Sequence, residues 1–284
     1  MSMLPDCLEG AIDLHVHSAP DVDARRFDDL ELAREAQRVG MSAILIKSHQ
    51  NSTVERAWLV AKVVSGIQVF GGLVLNSTVG GLNVEAVKLA LAMGAKEIWM
   101  PTRSALNHRL HHNQFGGISI LDANDDLVPE AVAILEAIAQ SDCILSTGHL
   151  SPHESVVLIH QARQCGIRKV LVTHPEWAPT FYSIEEQKSL AQLGYVWFER
   201  CFVSTTHLCG CVPFQAIEQA IIETGVETTV LSTDLGQPQT PPPAEELRLY
   251  AERLRSSGFS REHIRQMMCT NPARLLFEKG TGQL

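Results

Sequence analysis

At 284 residues, with 45% hydrophobic and 19% charged residues, the chain has the apolar content for one barrel-sized core and is not composed like a disordered segment. A formal net charge of -9 without a basic stripe argues against nucleic acid and anionic membrane as partners. The N-terminal MSMLPDCLEG lacks the basic flank and apolar core of a signal peptide, no stretch approaches the roughly 20 apolar residues of a membrane span, and the seven scattered cysteines read as reduced thiols. These features predict a cytoplasmic protein, with a homo-oligomer left open.

Eight short apolar segments rich in β-branched residues recur along the chain, at 11–17, 42–49, 69–76, 97–102, 143–149, 170–175, 195–202 and 228–234. Near-continuous apolar runs indicate strands covered on both faces, and each is followed by a stretch of helical periodicity, the pattern of parallel β/α units. Gly40, Gly66, Gly94, Gly166, Gly194, Gly225 and Gly258 each follow a helical stretch, where a C-terminal cap favours glycine. Ser52 before Glu55, Ser151 before Glu154 and Ser183 before Glu186 mark helix starts as capping boxes, and Pro152 fits a first helical position.

Eight such units leave exposed edges in an open sheet and none in a closed one, and no G-x-G-x-x-G follows the first strand. The prediction is therefore one domain over 1–284, an α/β protein folded as a single (β/α)8 TIM barrel with additional C-terminal helices. Residues 260–277 are expected to form those helices, to break near Asn271-Pro272 and to close the barrel's outer ring. The long segment 103–125 and the proline-rich 236–243 are expected on the face that carries the active site.

His15 and His17, two apart on the first strand, present their side chains to the same side. His149, His174 and Asp234 end the fifth, sixth and eighth segments, the end of a barrel strand where active sites form. Neutral imidazoles with a carboxylate suit a divalent metal, with zinc expected first and manganese, iron, nickel or cobalt compatible, and can leave a position open for water. Lys47 and His49 end the second segment at the same rim, Glu199 lies within the seventh, and Arg103 just beyond the fourth is placed to clamp a carboxylate or phosphate. Asn107, His108, His111 and His112 form a polar cluster in the following loop, whereas His153, His160, His207 and His263 read as ordinary helix or loop histidines, and Cys209-Gly-Cys211 as packing thiols.

The order H-x-H on strand 1, histidines on strands 5 and 6 and aspartate on strand 8 resembles the amidohydrolase superfamily, over residues 11–234. The absence of an added N-terminal domain makes the chain look like its compact phosphotriesterase-like and TatD-like branches. The resemblance implies that His15, His17, His149, His174 and Asp234 form the metal set, with Asp234 and His174 also catalytic; position at the same mouth, outside the family pattern, adds Lys47 as a catalytic candidate and His49, Glu199, Arg103 and His108 as further site candidates. The resemblance implies a metal-dependent hydrolase that turns metal-activated water on an amide, lactone or ester bond of a small-molecule substrate. Strand 4 departs from the pattern: it ends at Thr102 and supplies no bridging lysine or glutamate, so one ion or two are both open, with Lys47 either a carboxylated bridge or a charged donor. The alternatives are a decarboxylase on the same barrel, a noncatalytic metal-binding barrel, and a PHP-type phosphoesterase, whose terminal D-x-H is here Asp234-Leu235-Gly236.

Overall fold

A computed structural model describes residues 7–279; the N-terminal segment read against a signal peptide lies mostly outside them. Eight strands form in the expected order: β1 Ile12–Val16, β2 Ala43–Ile46, β3 Gln68–Val74, β4 Glu97–Trp99, β5 Ile144–Ser146, β6 Val170–Thr173, β7 Val196–Cys201 and β8 Thr229–Ser232. Each pairs in parallel with the next in sequence, giving one sheet ordered β1 to β8. A parallel bridge from Val16 to Leu235 closes it, so the architecture is a (β/α)8 barrel. No helix among the described residues is long and apolar enough to cross a membrane.

Side chains sort by strand face. Ala43 and Leu45 line the barrel interior with Leu14, Val74 and Trp99, while Ile44 and Ile46 pack outward against the surrounding helices. On β1 the register slips between Asp13 and Val16. Such an irregularity resets which face a residue occupies. Leu14 therefore lies inside while Val16 joins the outer layer, and His15 reaches the interior groups Glu199 and Lys47.

All seven cap glycines have positive φ. Capping boxes form at Ser151 and Ser183, and also at Asp28 with Glu31. At the second helix Thr53 is the cap instead of Ser52, whose hydroxyl turns to the Glu55 carboxylate at 2.7 Å. Residues 261–277 stay helical through Asn271-Pro272, with the irregularity spread over a π-helical stretch, Gln266–Thr270. Proline sits at the start of the helix Asn271–Phe277, where its missing N–H is tolerated, so it does not break the chain there. This last helix does not simply extend the outer ring: Leu275 and Leu276 pack with Ile12, Leu14 and Val230 and plug the barrel from the N-terminal ends of the strands.

Candidate functional site

The site sits where the barrel closes. The Asp234 N–H donates to the His15 carbonyl at 2.7 Å and the His17 N–H to the Leu235 carbonyl at 2.8 Å, so backbone hydrogen bonds set the two histidines against the aspartate. Below them the buried Asp13 carboxylate clamps the same seam, accepting from the Thr233 N–H at 3.1 Å, the Thr233 hydroxyl at 2.5 Å and the His15 N–H at 3.1 Å. At Gly236 a Cβ would stand 2.0 Å from the His17 carbonyl oxygen, which excludes any side chain where the chain turns away from the seam.

Three imidazoles surround the Asp234 carboxylate. The Nε2 atoms of His15 and His17 lie 2.9 Å from its Oδ1, and that of His174 lies 3.3 Å from its Oδ2. Asp234 and His174 both hold left-handed backbone, with φ of 52° each. That conformation costs a non-glycine residue about 1 kcal/mol and clusters at functional sites. Further rings continue the circle: His49 stacks on His17 at 5.1 Å between centroids, and His149 lies 5.6 Å from His174.

Charges are distributed unevenly. Burial lowers His17 to about 3 and, against the pull of Asp234, lowers His174 to about 4; His49 and His149 fall well below the ordinary histidine range for the same reason. Burial also opposes charge on His15, but Asp234 and Glu199 outweigh it and lift that imidazole to about 9. Burial raises Asp234, yet His15, His17 and His174 together hold its carboxyl well below the usual range. Lys47 is fully buried, with Nζ 2.9 Å from His15 Nε2 and 5.1 Å from the Trp99 ring centre, and burial lowers its pKa against the nearby carboxylates.

These residues fit a divalent metal ion. His15, His174, Cys201 and Asp234 offer ligand atoms all within 4.8 Å of one another. The buried Nδ1 of His174 has no hydrogen-bond partner, and His15 Nε2 faces both the Lys47 amine and an Asp234 oxygen, although one ring nitrogen can satisfy only one of them. Convergent nitrogen and carboxylate donors with such leftover valence are suited to a borderline cation. Glu199 accepts from His15 Nδ1 at 3.0 Å and from the Ser232 hydroxyl at 2.9 Å, the arrangement by which a carboxylate orients a ligating imidazole.

His149 stands one ring further out, its Nδ1 2.9 Å from His108 Nδ1. The Gly148 before it has φ of 59°, and a Cβ there would meet the Met100 carbonyl oxygen at 2.3 Å. His49 Nδ1 bonds the Thr102 hydroxyl at 2.8 Å. Arg103 lies on the exposed rim, paired to Asp23 at 2.6 Å. His111 and His112 are exposed, on and just after the short helix Leu106–His111, and Asn107 donates to the carbonyls of His149 and Pro179. Sequence reading missed Asp13, Arg25, Trp177 and the thiols Cys201 and Cys209. Arg25 is buried against Asp21 and reaches His17 Nδ1 at 3.4 Å. Trp177 lies edge-on to His149 at 5.0 Å, and burial with the nearby Asp234 raises Cys209 to about 12. An acid inside an otherwise apolar strand was the available signal for Asp13; the others come from loops and strand ends with no sequence pattern.

Residues 10–199, about two thirds of the chain, match a family described as one of unknown function, DUF6282. The chain belongs to that family. The span matched in this DUF6282 protein carries His15, His17, Lys47, His149, His174 and Glu199 and ends before Asp234. No functionally curated protein matches the sequence. Among solved structures, an amidohydrolase from Pseudomonas aeruginosa superimposes with a TM-score of 0.68 at 13% identity, over 98% of each chain. The phosphotriesterase homology protein from Escherichia coli, complexed with phosphate in its active site, has a TM-score of 0.60 at 15% identity, covering 96% of this chain and 99% of its own. The organophosphorus hydrolase from Deinococcus radiodurans has a TM-score of 0.60 at 16% identity, covering 96% and 94%. The DUF6282 chain thus has the barrel fold of the amidohydrolase and phosphotriesterase-like proteins.

Proposed function

We propose that this protein is a metal-dependent hydrolase that cleaves an amide, lactone or ester bond of a small molecule. The observation that carries the reading is the convergence of the His15, His17 and His174 Nε2 atoms on the Asp234 carboxylate at the C-terminal mouth of the barrel. The hydrolase names of its structural neighbours support it. His15, His17, His174 and Asp234 would hold the ion, with His149 beside them; zinc suits this donor set best, and manganese, iron, nickel and cobalt are compatible.

A bound divalent ion supplies a Lewis acid toward the scissile group and acidifies water. Asp234, held ionised by its three imidazoles, accepts the proton of the attacking water and returns it to the leaving group. Lys47, with Nζ 2.9 Å from His15 Nε2, offers a donor to the negative charge that develops on the substrate oxygen, while His174, its Nε2 3.3 Å from Asp234 Oδ2, would serve to hold the ion. Glu199 holds the His15 ring in place.

The test is Asp234→Asn, whose amide oxygen can still ligate but cannot take a proton near neutral pH. Circular dichroism and elemental analysis should show fold and most of the metal retained, and turnover across a panel of lactones, esters and amides should fall by about 10³-fold. Turnover equal to wild type would remove Asp234 from proton transfer, and wild-type turnover indifferent to chelation would end the metal-hydrolase reading.

A further inference from the structure

We infer that the substrate carries an anionic group, a carboxylate or a phosphate, held in a basic notch beside the histidine ring. The inference deepens the hydrolase reading and rests on it only for the bond that is cut. The notch has a volume of about 300 Å3, and His49, Asn76, Arg103, Ser104, His108 and Arg109 form its principal walls. Every residue lining it is polar or basic and none is acidic, in a chain whose formal net charge is -9.

The floor is rigid. Asn76 spends its side chain on the frame, accepting from the N–H groups of Thr102 and Ser104 at 2.9 and 3.1 Å and donating to the His49 carbonyl and the Thr102 hydroxyl. Arg109 is positioned by a backbone carbonyl and not by a carboxylate, with Nε and Nη2 donating to the Phe115 oxygen at 3.0 and 2.8 Å. Arg103 pairs with Asp23, but both are more than 40% exposed. An exposed pair of this kind is weak and screened by solvent, so an incoming anion can share that guanidinium. Guanidinium forks match the paired oxygens of carboxylate and phosphate.

Position ties the notch to the chemistry. The His49 ring stacks on His17, and His108 bonds His149 at 2.9 Å, so the notch and the candidate metal site share walls. A small molecule with its charged end at Arg103 and Arg109 can present its body to Asp234.

The proposal is tested by calorimetric titration with inorganic phosphate and with succinate, on metal-loaded and on chelated protein. At least one anion should bind in both states. Arg103→Gln and Arg109→Gln should each weaken it about tenfold, while Asp234→Asn should leave affinity within about threefold of wild type. The tighter of the two probes identifies the group. If either glutamine variant fails to fold, the corresponding lysine variant, which keeps the charge and loses the fork, reads the same weakening. Binding that vanishes on chelation would assign the anion to the ion, and absence of binding at millimolar concentration, or binding undiminished after loss of both arginines, would equally overturn the notch. Metal-dependent turnover of a neutral lactone reports separately on the hydrolase reading, so the two can fail independently.

Discussion

The seam between β8 and β1 and the rim that follows β4 both present histidines to one opening, yet they are built differently. At the seam, His15 on β1 and His17 and Asp234 just past the ends of β1 and β8 hang from backbone whose N–H and carbonyl groups bond across the closure, and the Asp13 carboxylate ties both sides again. At the rim, His108 and His111 ride on a six-residue helix with His112 just after it, and His111 and His112 are exposed. A constellation fixed by the sheet has little freedom to drift, whereas one carried by a loop can change its side chains without disturbing the barrel. The seam is therefore suited to chemistry and the rim to selection.

The severest test of that contrast is Lys47→Ala, which empties a fully buried place against His15. We expect turnover to fall by about 10²- to 10⁴-fold. If Lys47 acts as a charged donor, the metal content stays unchanged; if it is a carboxylated bridge, elemental analysis shows one ion fewer and short carboxylates restore part of the rate. Normal turnover would show that the seam's chemistry does not extend to β2.

A smaller effect is expected from the clamp beneath. Asp13→Ala leaves the Thr233 and His15 N–H groups without their buried acceptor and should cost about 2–4 kcal/mol in urea unfolding. Asp13→Asn keeps an oxygen for them, and because burial raises the Asp13 carboxyl to about 6, the neutral amide should recover most of that loss. Equal stability of the two variants would mean that the backbone ladder holds the seam unaided.

The smallest effect belongs to the rim. His111→Ala should leave unfolding unchanged within about 0.5 kcal/mol and turnover within about threefold, as surface substitutions away from buried features do. A larger fall in turnover would move the rim into the chemistry and erase the distinction.

How far each region was legible in the sequence follows the same division. The apolar runs announced all eight strands, and the ends of those runs named His15, His17, His174 and Asp234, because burial on both faces and strand alternation are written in residue type. The slip in β1 was not legible, since it depends on pairing with β2 and not on any residue in Asp13–Val16. Nor was the plug formed by Leu275 and Leu276: an apolar terminal helix reads the same whether it covers the outside of a barrel or its base. Cys201 lies 3.7 Å from His15 Nδ1, yet in sequence it is one more small apolar residue at a strand end. The left-handed backbone of His174 and Asp234 is imposed by surroundings assembled from distant parts of the chain.

The closure has a bearing on how the protein is made. Asp13 and Thr233 stand 220 residues apart, so their contact closes nearly the longest loop the fold contains, and the entropy of that closure must be met before the contact can return anything. A copy truncated before the eighth strand would lack Asp234, the carboxylate on which His15, His17 and His174 converge, so the centre is complete only once that strand closes against the first.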